Sequence, residues 1–251
     1  LAFRIIYTPL MRWSRRVVVH EKLFKEIATK SYGVIPENIA VIPHGVEALS
    51  PINTQEARQR LGIAKDAKVA LFMGYATGYK GMDLLIEGFA AYAKHEPKAY
   101  LIIGSGKHPK LKHDDVYLAE YTRLQKKAAE LIPARQYRWE GFIAEDDINT
   151  YYSACDVSLY PYTTAMSSSG PMSFAIGYEK PFLVSSAFKD IFADHPHLLF
   201  DRRPESMAEK LAYFFDNQPD YTAASAVLKR DRTWQTVGEQ TARLYNEIKE
   251  Q

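Results

Sequence analysis

Residues 69–92 read VALFMGYATGYKGMDLLIEGFAAY. An apolar run ends at Gly74, and a loop carrying Gly78, Lys80 and Gly81 follows. From Met82 the apolar period becomes helical, with Met82, Leu85, Phe89 and Tyr92 on one face. A buried strand, a glycine-bearing turn and an amphipathic helix form the repeating unit of a parallel α/β sheet covered on both faces. Similar apolar runs occur at 16–20, 39–43, 99–104, 137–142, 157–162, 181–185 and 198–200, with helical patterns between several of them. In EDDINTYYSAC, Ile148, Tyr151, Tyr152 and Cys155 share a face behind an acidic first turn that suits the helix dipole. The spacing therefore predicts an α/β fold built on a doubly wound parallel sheet.

Composition narrows the function. The 251 residues are 47% hydrophobic and 25% charged, with a net charge of +2. That balance argues against a nucleic-acid partner and leaves an anionic ligand open. One cysteine, Cys155, excludes a disulfide framework and a cysteine-based zinc site within one chain, as expected of a reducing, cytoplasmic compartment. No apolar run approaches the ~20 residues that span a bilayer. LAFRIIYTPLMRWSRR does not read as a signal peptide, and Leu1 is not expected to be the natural start. The basic, aromatic MRWSRR (11–16) is compatible with a membrane surface or with a solvated helix face.

A boundary shows at 37–53, where a strand pattern runs into Gly, Pro and Ser. Residues 1–46 are expected to hold about one strand and two helices, too few for a core of their own, and so to be the end of another domain. The regular series from there to 251 is the second domain. At the C-terminus, Trp234, Val237, Thr241, Leu244, Tyr245 and Ile248 form one stripe, expected to pack into the core.

Ligands of open parallel sheets bind beyond the carboxyl ends of the strands. Three loops there carry candidates. Lys80 is the one cation of the 74–81 loop, and it is either a point charge for a phosphate or a solvated surface lysine. The loop is neither G-x-x-x-x-G-K-[ST] nor G-x-G-x-x-G. The second loop lies in MSSSGPMSFAIGYEKP (166–181), where Ser167, Ser168, Ser169, Gly170 and Pro171 sit at the start of a helix whose inner face is Met172, Ala175 and Ile176. Free N–H groups and small hydroxyls at a helix N-terminus make an anion site, and one serine could equally be an ordinary N-cap. A diphosphate held between the two loops is the simplest joint reading. The third loop, EGFIAEDD (140–147), offers Phe142 and Ile143 to flank a flat base or to pack beneath the loop.

The remaining candidates are weaker. His195 and His197 lack a third metal ligand, and KHPKLKHDD (107–115) reads as an exposed loop. Asp114–Asp115 and Asp146–Asp147 are neighbours whose side chains diverge. Cys155 lies on an apolar stripe as a buried, inert thiol, and His44 in IPHG is a loop histidine that a site could use.

Six segments in order resemble the carboxyl-terminal half of a family-4 retaining glycosyltransferase of the GT-B fold. They are VIPHGV (41–46), FMGYATGYKGMDLLIEGFA (72–90), AYLIIGSG (99–106), EGFIAEDDINTYYSACDVSLYP (140–161), SSSGPMSFAIGYEKPFLVS (167–185) and TWQTVGEQTARLYNEI (233–248). The resemblance implies a Rossmann-like domain over residues 47–251 that binds a nucleotide-sugar donor, preceded by the end of an acceptor-side domain and a hinge over 1–46. The last helix would cross back onto that first domain. Sugar transfer would retain configuration, without an obligatory metal or other cofactor. The acceptor would be a saccharide or a lipid-linked molecule, as in polysaccharide or glycoconjugate synthesis. Lys80 would be the catalytic cation, with Gly74, Tyr75 and the 167–171 segment at the donor diphosphate and sugar, and Phe142, Ile143 and Phe174 at the nucleoside. The chain departs from the family pattern at three positions. Tyr75 stands where the family has an arginine, and Met166 and Phe174 stand where it has two glutamates.

Overall fold

The computed structural model describes residues 2–250. The chain runs α1 (Ala2–Trp13), β1 (Val17–Val19), α2 (Lys22–Tyr32), β2 (Ile39–Val41), α3 (Thr54–Leu61), β3 (Lys68–Met73), α4 (Met82–Ala93), β4 (Ala99–Gly104), α5 (Asp115–Leu131) and β5 (Tyr137–Trp139). It continues through α6 (Ile148–Ala154), β6 (Val157–Tyr160), α7 (Gly170–Gly177), β7 (Phe182–Ser185), β8 (Leu199–Phe200), α8 (Pro204–Asp216), α9 (Gln218–Arg232) and α10 (Trp234–Lys249). All eight predicted strands form, most of them shorter than their apolar runs.

Six strands make one parallel sheet in the order β5-β4-β3-β6-β7-β8. The chain enters at β3, builds outward through β4 and β5, then returns beside β3 at β6. This reversal is the topological switch point, and it opens a crevice beyond the ends of β3 and β6. Both faces of the sheet are covered, which is why β6 and β7 are buried along their whole length. The predicted helix faces hold as well: Met82, Leu85, Phe89 and Tyr92 on α4, and Met172, Ala175 and Ile176 on α7, are all buried.

Local signals set the helix ends. The Asn53 carboxamide caps α3 by accepting from the Gln55 and Glu56 N–H groups, and Gly62 closes the helix in the left-handed region. Asp114 caps α5 by accepting from Tyr117 N, which explains that acidic pair without any acid–base role.

An ion pair between a buried arginine and a half-buried aspartate ties the two central strands to α3. Arg58, only 5% exposed, donates to the Ala154 and Lys65 carbonyls and to Asp156 Oδ2 at 2.8 Å. The same oxygen accepts from Val69 N at the start of β3. Arg58→Ala leaves a half-buried carboxylate without its ion-pair partner, so a loss of about 3 kcal/mol, the low end for breaking a buried pair, is expected in urea unfolding.

Residues 1–46 contain two strands rather than one. β1 and β2 pair in parallel, and α2 packs Ala28 against Val34 and Ile39 in a small cluster of their own. The C-terminal stripe also differs from expectation. α10 buries no residue fully, Trp234 and Tyr245 are exposed, and Val237, Thr241, Leu244 and Ile248 are half-buried. Periodicity shows that a helix has an apolar face but not which body covers it. α10 lies against the segment leading out of β2: the Trp234 ring sits where a Cβ on Gly45 would be, and Val46 bonds to the Arg232 carbonyl. Among the described residues, no helix is long and apolar enough to cross a membrane.

Candidate functional site

Gly74 follows β3 directly with φ +135, outside the range that side chains favour. An added Cβ there would lie 3.6 Å from Lys80 Nζ and 3.7 Å from Pro171 Cγ. Its bare backbone is therefore the floor between the lysine and the start of α7. Above it is a cavity of about 320 Å³, with Lys80 on the β3 side, Ser168, Ser169, Gly170 and Pro171 on the α7 side, and Tyr75 and His108 beside them. The structure thus brings the first two candidate loops together.

Lys80 is not a surface lysine. It is 6% exposed and donates to the Tyr162 hydroxyl at 2.5 Å. Its Nζ also lies over the Tyr162 and Tyr79 rings, at 3.9 and 5.1 Å from their centroids. Among the described residues, no carboxylate lines this cavity. Burial without a counter-charge pushes the lysine pKa down to about 8. A protonated amine kept this way is a ready partner for an anion.

The serines do not do what capping predicts. Ser169 occupies the N-cap position of α7, yet its side chain makes no capping bond. Its Oγ lies instead 3.1 Å from the Tyr162 hydroxyl. The first turn of α7 is fixed from below, where the buried Tyr152 and Tyr160 phenols both donate to the Pro171 carbonyl, at 2.6 and 2.7 Å. Ser168 is exposed in the cavity. Ser167 is not part of this cavity. It faces a narrow cleft with Glu21 and His44, whose ring lies between those of His20 and Trp234.

A second cavity, about 260 Å³, adjoins the first and shares Gly74, Tyr75 and Pro171 with it. It is the more apolar of the two, lined also by Phe142, Ile143, Glu145 and Phe174. The Tyr75 and Phe142 rings are within 15° of parallel with centroids 6.3 Å apart, and Phe142 is 69% exposed. Ile143 is buried and packs against Gly104 beneath the loop while still reaching the cavity wall. Phe174, half-buried, leans on Tyr152.

Spacing alone does not single out Tyr79, Tyr162, His108 or Glu145, and Tyr79 is simply one of the polar residues of the 74–81 loop. Tyr162 stood inside an apolar strand pattern, His108 inside a loop read as exposed, and Glu145 among loop acids. His108 Nδ1 accepts from Lys110 N, which leaves Nε2 to carry the ring proton, and its ring meets Tyr75 edge-on. A polar residue before a proline turn was the only signal for it. Other candidates lie elsewhere. Among the described residues no group of three or more potential ligands could hold a metal, so His195 and His197 gain no third. Cys155 is buried, and desolvation pushes its thiol up to about 11.

The family model for glycosyl transferases group 1 matches residues 53–227, well over half of the chain. The chain belongs to the group 1 glycosyl transferases. Among similar proteins, this group 1 glycosyl transferase is 28% identical to mannosylfructose-phosphate synthase of Agrobacterium fabrum over 137 residues, 53% of this chain and 29% of that one. It is 40% identical to the D-inositol 3-phosphate glycosyltransferase of Geodermatophilus obscurus over 68 residues, 26% of this chain and 15% of that one. The chain therefore spans under a third of the length of these two curated relatives. Its fold is that of solved GT-B glycosyltransferases. Anabaena Alr3699/HepE, in complex with UDP and glucose, superposes with a TM-score of 0.78 over 98% of this chain and 67% of that one, at 19% identity.

Proposed function

We propose that this chain is the donor-binding half of a family-4, retaining glycosyltransferase, with residues 47–251 holding a nucleotide-sugar and residues 1–46 ending an acceptor-side domain and hinge. The observation that carries this is Lys80, a buried ammonium with no carboxylate partner among the described residues, facing the uncapped start of α7 across the switch-point crevice. The Anabaena neighbour was solved with UDP and glucose, which supports a nucleotide-linked sugar as donor. The diphosphate takes the cavity between Lys80 and Ser168–Gly170. The nucleoside takes the adjoining apolar cavity, with the base at Phe142 and Ile143 and the ribose toward Phe174. Cleaving the sugar–phosphate bond builds negative charge on the departing diphosphate, and Lys80 and the α7 amides stabilise it without an obligatory metal. The acceptor is a saccharide or a lipid-linked molecule.

A second reading has its own observation. With Tyr75, Met166 and Phe174 at the positions of the family's arginine and two glutamates, the same cavity would bind nucleotide without transferring sugar. The test is to incubate the intact protein with UDP-, GDP- and ADP-sugars together with a panel of saccharide and lipid-linked acceptors, follow nucleoside diphosphate release, and read the anomer of the glycosylated acceptor by proton NMR. Release from one donor with the α-anomer preserved supports transfer with retention. Nucleotide binding with no release supports the second reading, and release with inversion overturns the retaining assignment.

Phe142 gives a local check. It is largely exposed, so Phe142→Ala should leave stability within about 0.5 kcal/mol. Loss of a base–aromatic contact should weaken UDP at least about fivefold in calorimetry.

A further inference from the structure

Tyr162 is fully buried, 0% exposed, and its hydroxyl has two partners: Lys80 Nζ at 2.5 Å and Ser169 Oγ at 3.1 Å. The chemistry of the three groups gives this chain of contacts a direction. An ammonium can only donate, so the phenol oxygen accepts from Lys80. The single phenol proton is then left for Ser169, whose oxygen accepts it. The Ser169 proton is the one donor left at the end of the chain, and Ser169 lines the cavity. It is not used to cap α7.

We propose that Tyr162 is a positioning residue of the donor site, joining the Lys80 ammonium and the Ser169 hydroxyl into one directed hydrogen-bond chain that ends on the leaving diphosphate. The proposal rests on the diphosphate reading of this cavity. The phenol does two things at once. It gives the buried ammonium its hydrogen-bond acceptor, without which the charged form is harder to keep. It also holds Ser169 away from the ordinary capping position, so that both the hydroxyl and the first-turn amides of α7 stay available to phosphate oxygens. The other titratable groups at Lys80 and around the cavity are the phenols of Tyr79 and Tyr75 and the His108 ring, and none of these is a carboxylate.

The test uses UDP, GDP and ADP as probes with the full chain, titrated by calorimetry between pH 6.5 and 9.5 in wild type, Tyr162→Phe, Ser169→Ala and Lys80→Met. Tyr162→Phe keeps the ring and should weaken the nucleotide that binds by about tenfold at pH 7. It should also move the fall of affinity at high pH acidward by about one pH unit. Ser169→Ala should weaken binding a few-fold and leave the position of that fall unchanged. Lys80→Met should abolish binding. A nucleotide-free readout accompanies this, the ¹³C NMR titration of Lys80 Cε, whose midpoint near 8 should drop in Tyr162→Phe. If the wild type binds and Lys80→Met does not, but Tyr162→Phe matches the wild type in affinity and pH profile, the positioning role is wrong and the donor site stands. If Tyr162→Phe fails to fold, an unaltered affinity in Ser169→Ala overturns the chain. If the wild type binds none of the three nucleotides, the donor site and this proposal fall together.

Discussion

Lys80→Met is expected to raise the melting temperature of the ligand-free protein while removing its affinity for nucleoside diphosphates. In the folded chain Lys80 titrates near 8, against an ordinary value of 10.5, because burial penalises its charge. That gap corresponds to on the order of 3 kcal/mol. The sign follows from proton counts. Between pH 8 and 10.5 the unfolded chain holds a proton that the folded chain has lost, so the lysine's contribution to stability rises with pH through that window. Below pH 8 its full cost is present. The gain from methionine, an apolar side chain of similar reach, should therefore be largest at and below neutral pH and fade toward pH 10.5. At about 2–4 °C per kcal/mol for a chain of this size, the shift is several degrees in a thermal scan. Binding has its own pH dependence. UDP affinity should be flat below about pH 8, where the free site is already protonated, and fall by up to about tenfold per pH unit above it. An unchanged melting temperature together with wild-type UDP affinity in Lys80→Met would remove the lysine from the site altogether.

Gly81→Ala should unfold or grossly destabilise the protein. Gly81 has φ +68, and an added Cβ would lie 1.9 Å from the Pro161 carbonyl oxygen and 2.8 Å from its carbon. Both atoms are backbone at the end of β6 and cannot swing aside. The methyl would pry the 74–81 loop off the loop after β6, which are the two segments that place Lys80 beside Tyr162. A loss of at least about 3 kcal/mol is expected. Gly62→Ala is the matched control. Its φ is +65, but nothing lies within 4 Å of the added Cβ, so only the backbone strain of about 1–2 kcal/mol should appear. Chemical denaturation of the two variants side by side separates strain from collision, and equal losses would show that the contact with Pro161 has no weight.

Much of this arrangement was legible in the sequence because it is local. The continuous apolar runs of β3, β4, β6 and β7 announce strands buried on both faces, and the change of period at Met82 announces α4. The serines before Pro171 mark a helix start. What sequence spacing cannot supply is contact across the fold. Tyr162 and Lys80 lie 82 residues apart, and nothing in VSLYPY separates a tyrosine that packs from one that holds a lysine. Ser169 follows from it at one remove: its hydroxyl meets the Tyr162 phenol within the same β6–α7 loop, and that phenol is held from across the fold by Lys80. The same limit explains α10, whose apolar stripe was correct as a pattern and wrong as a sign of full burial.

The most direct test is a ¹⁵N-labelled NMR titration of the chain with UDP, GDP and ADP. A diphosphate held between Lys80 and α7 predicts saturable shifts for one nucleotide, concentrated at the amides of Gly74, Lys80, Ser168, Ser169 and Gly170, with Phe142 and Ile143 moving when the base is present. Shifts that map elsewhere on the sheet, or no saturable change with any of the three at millimolar concentration, would contradict a donor site in this crevice.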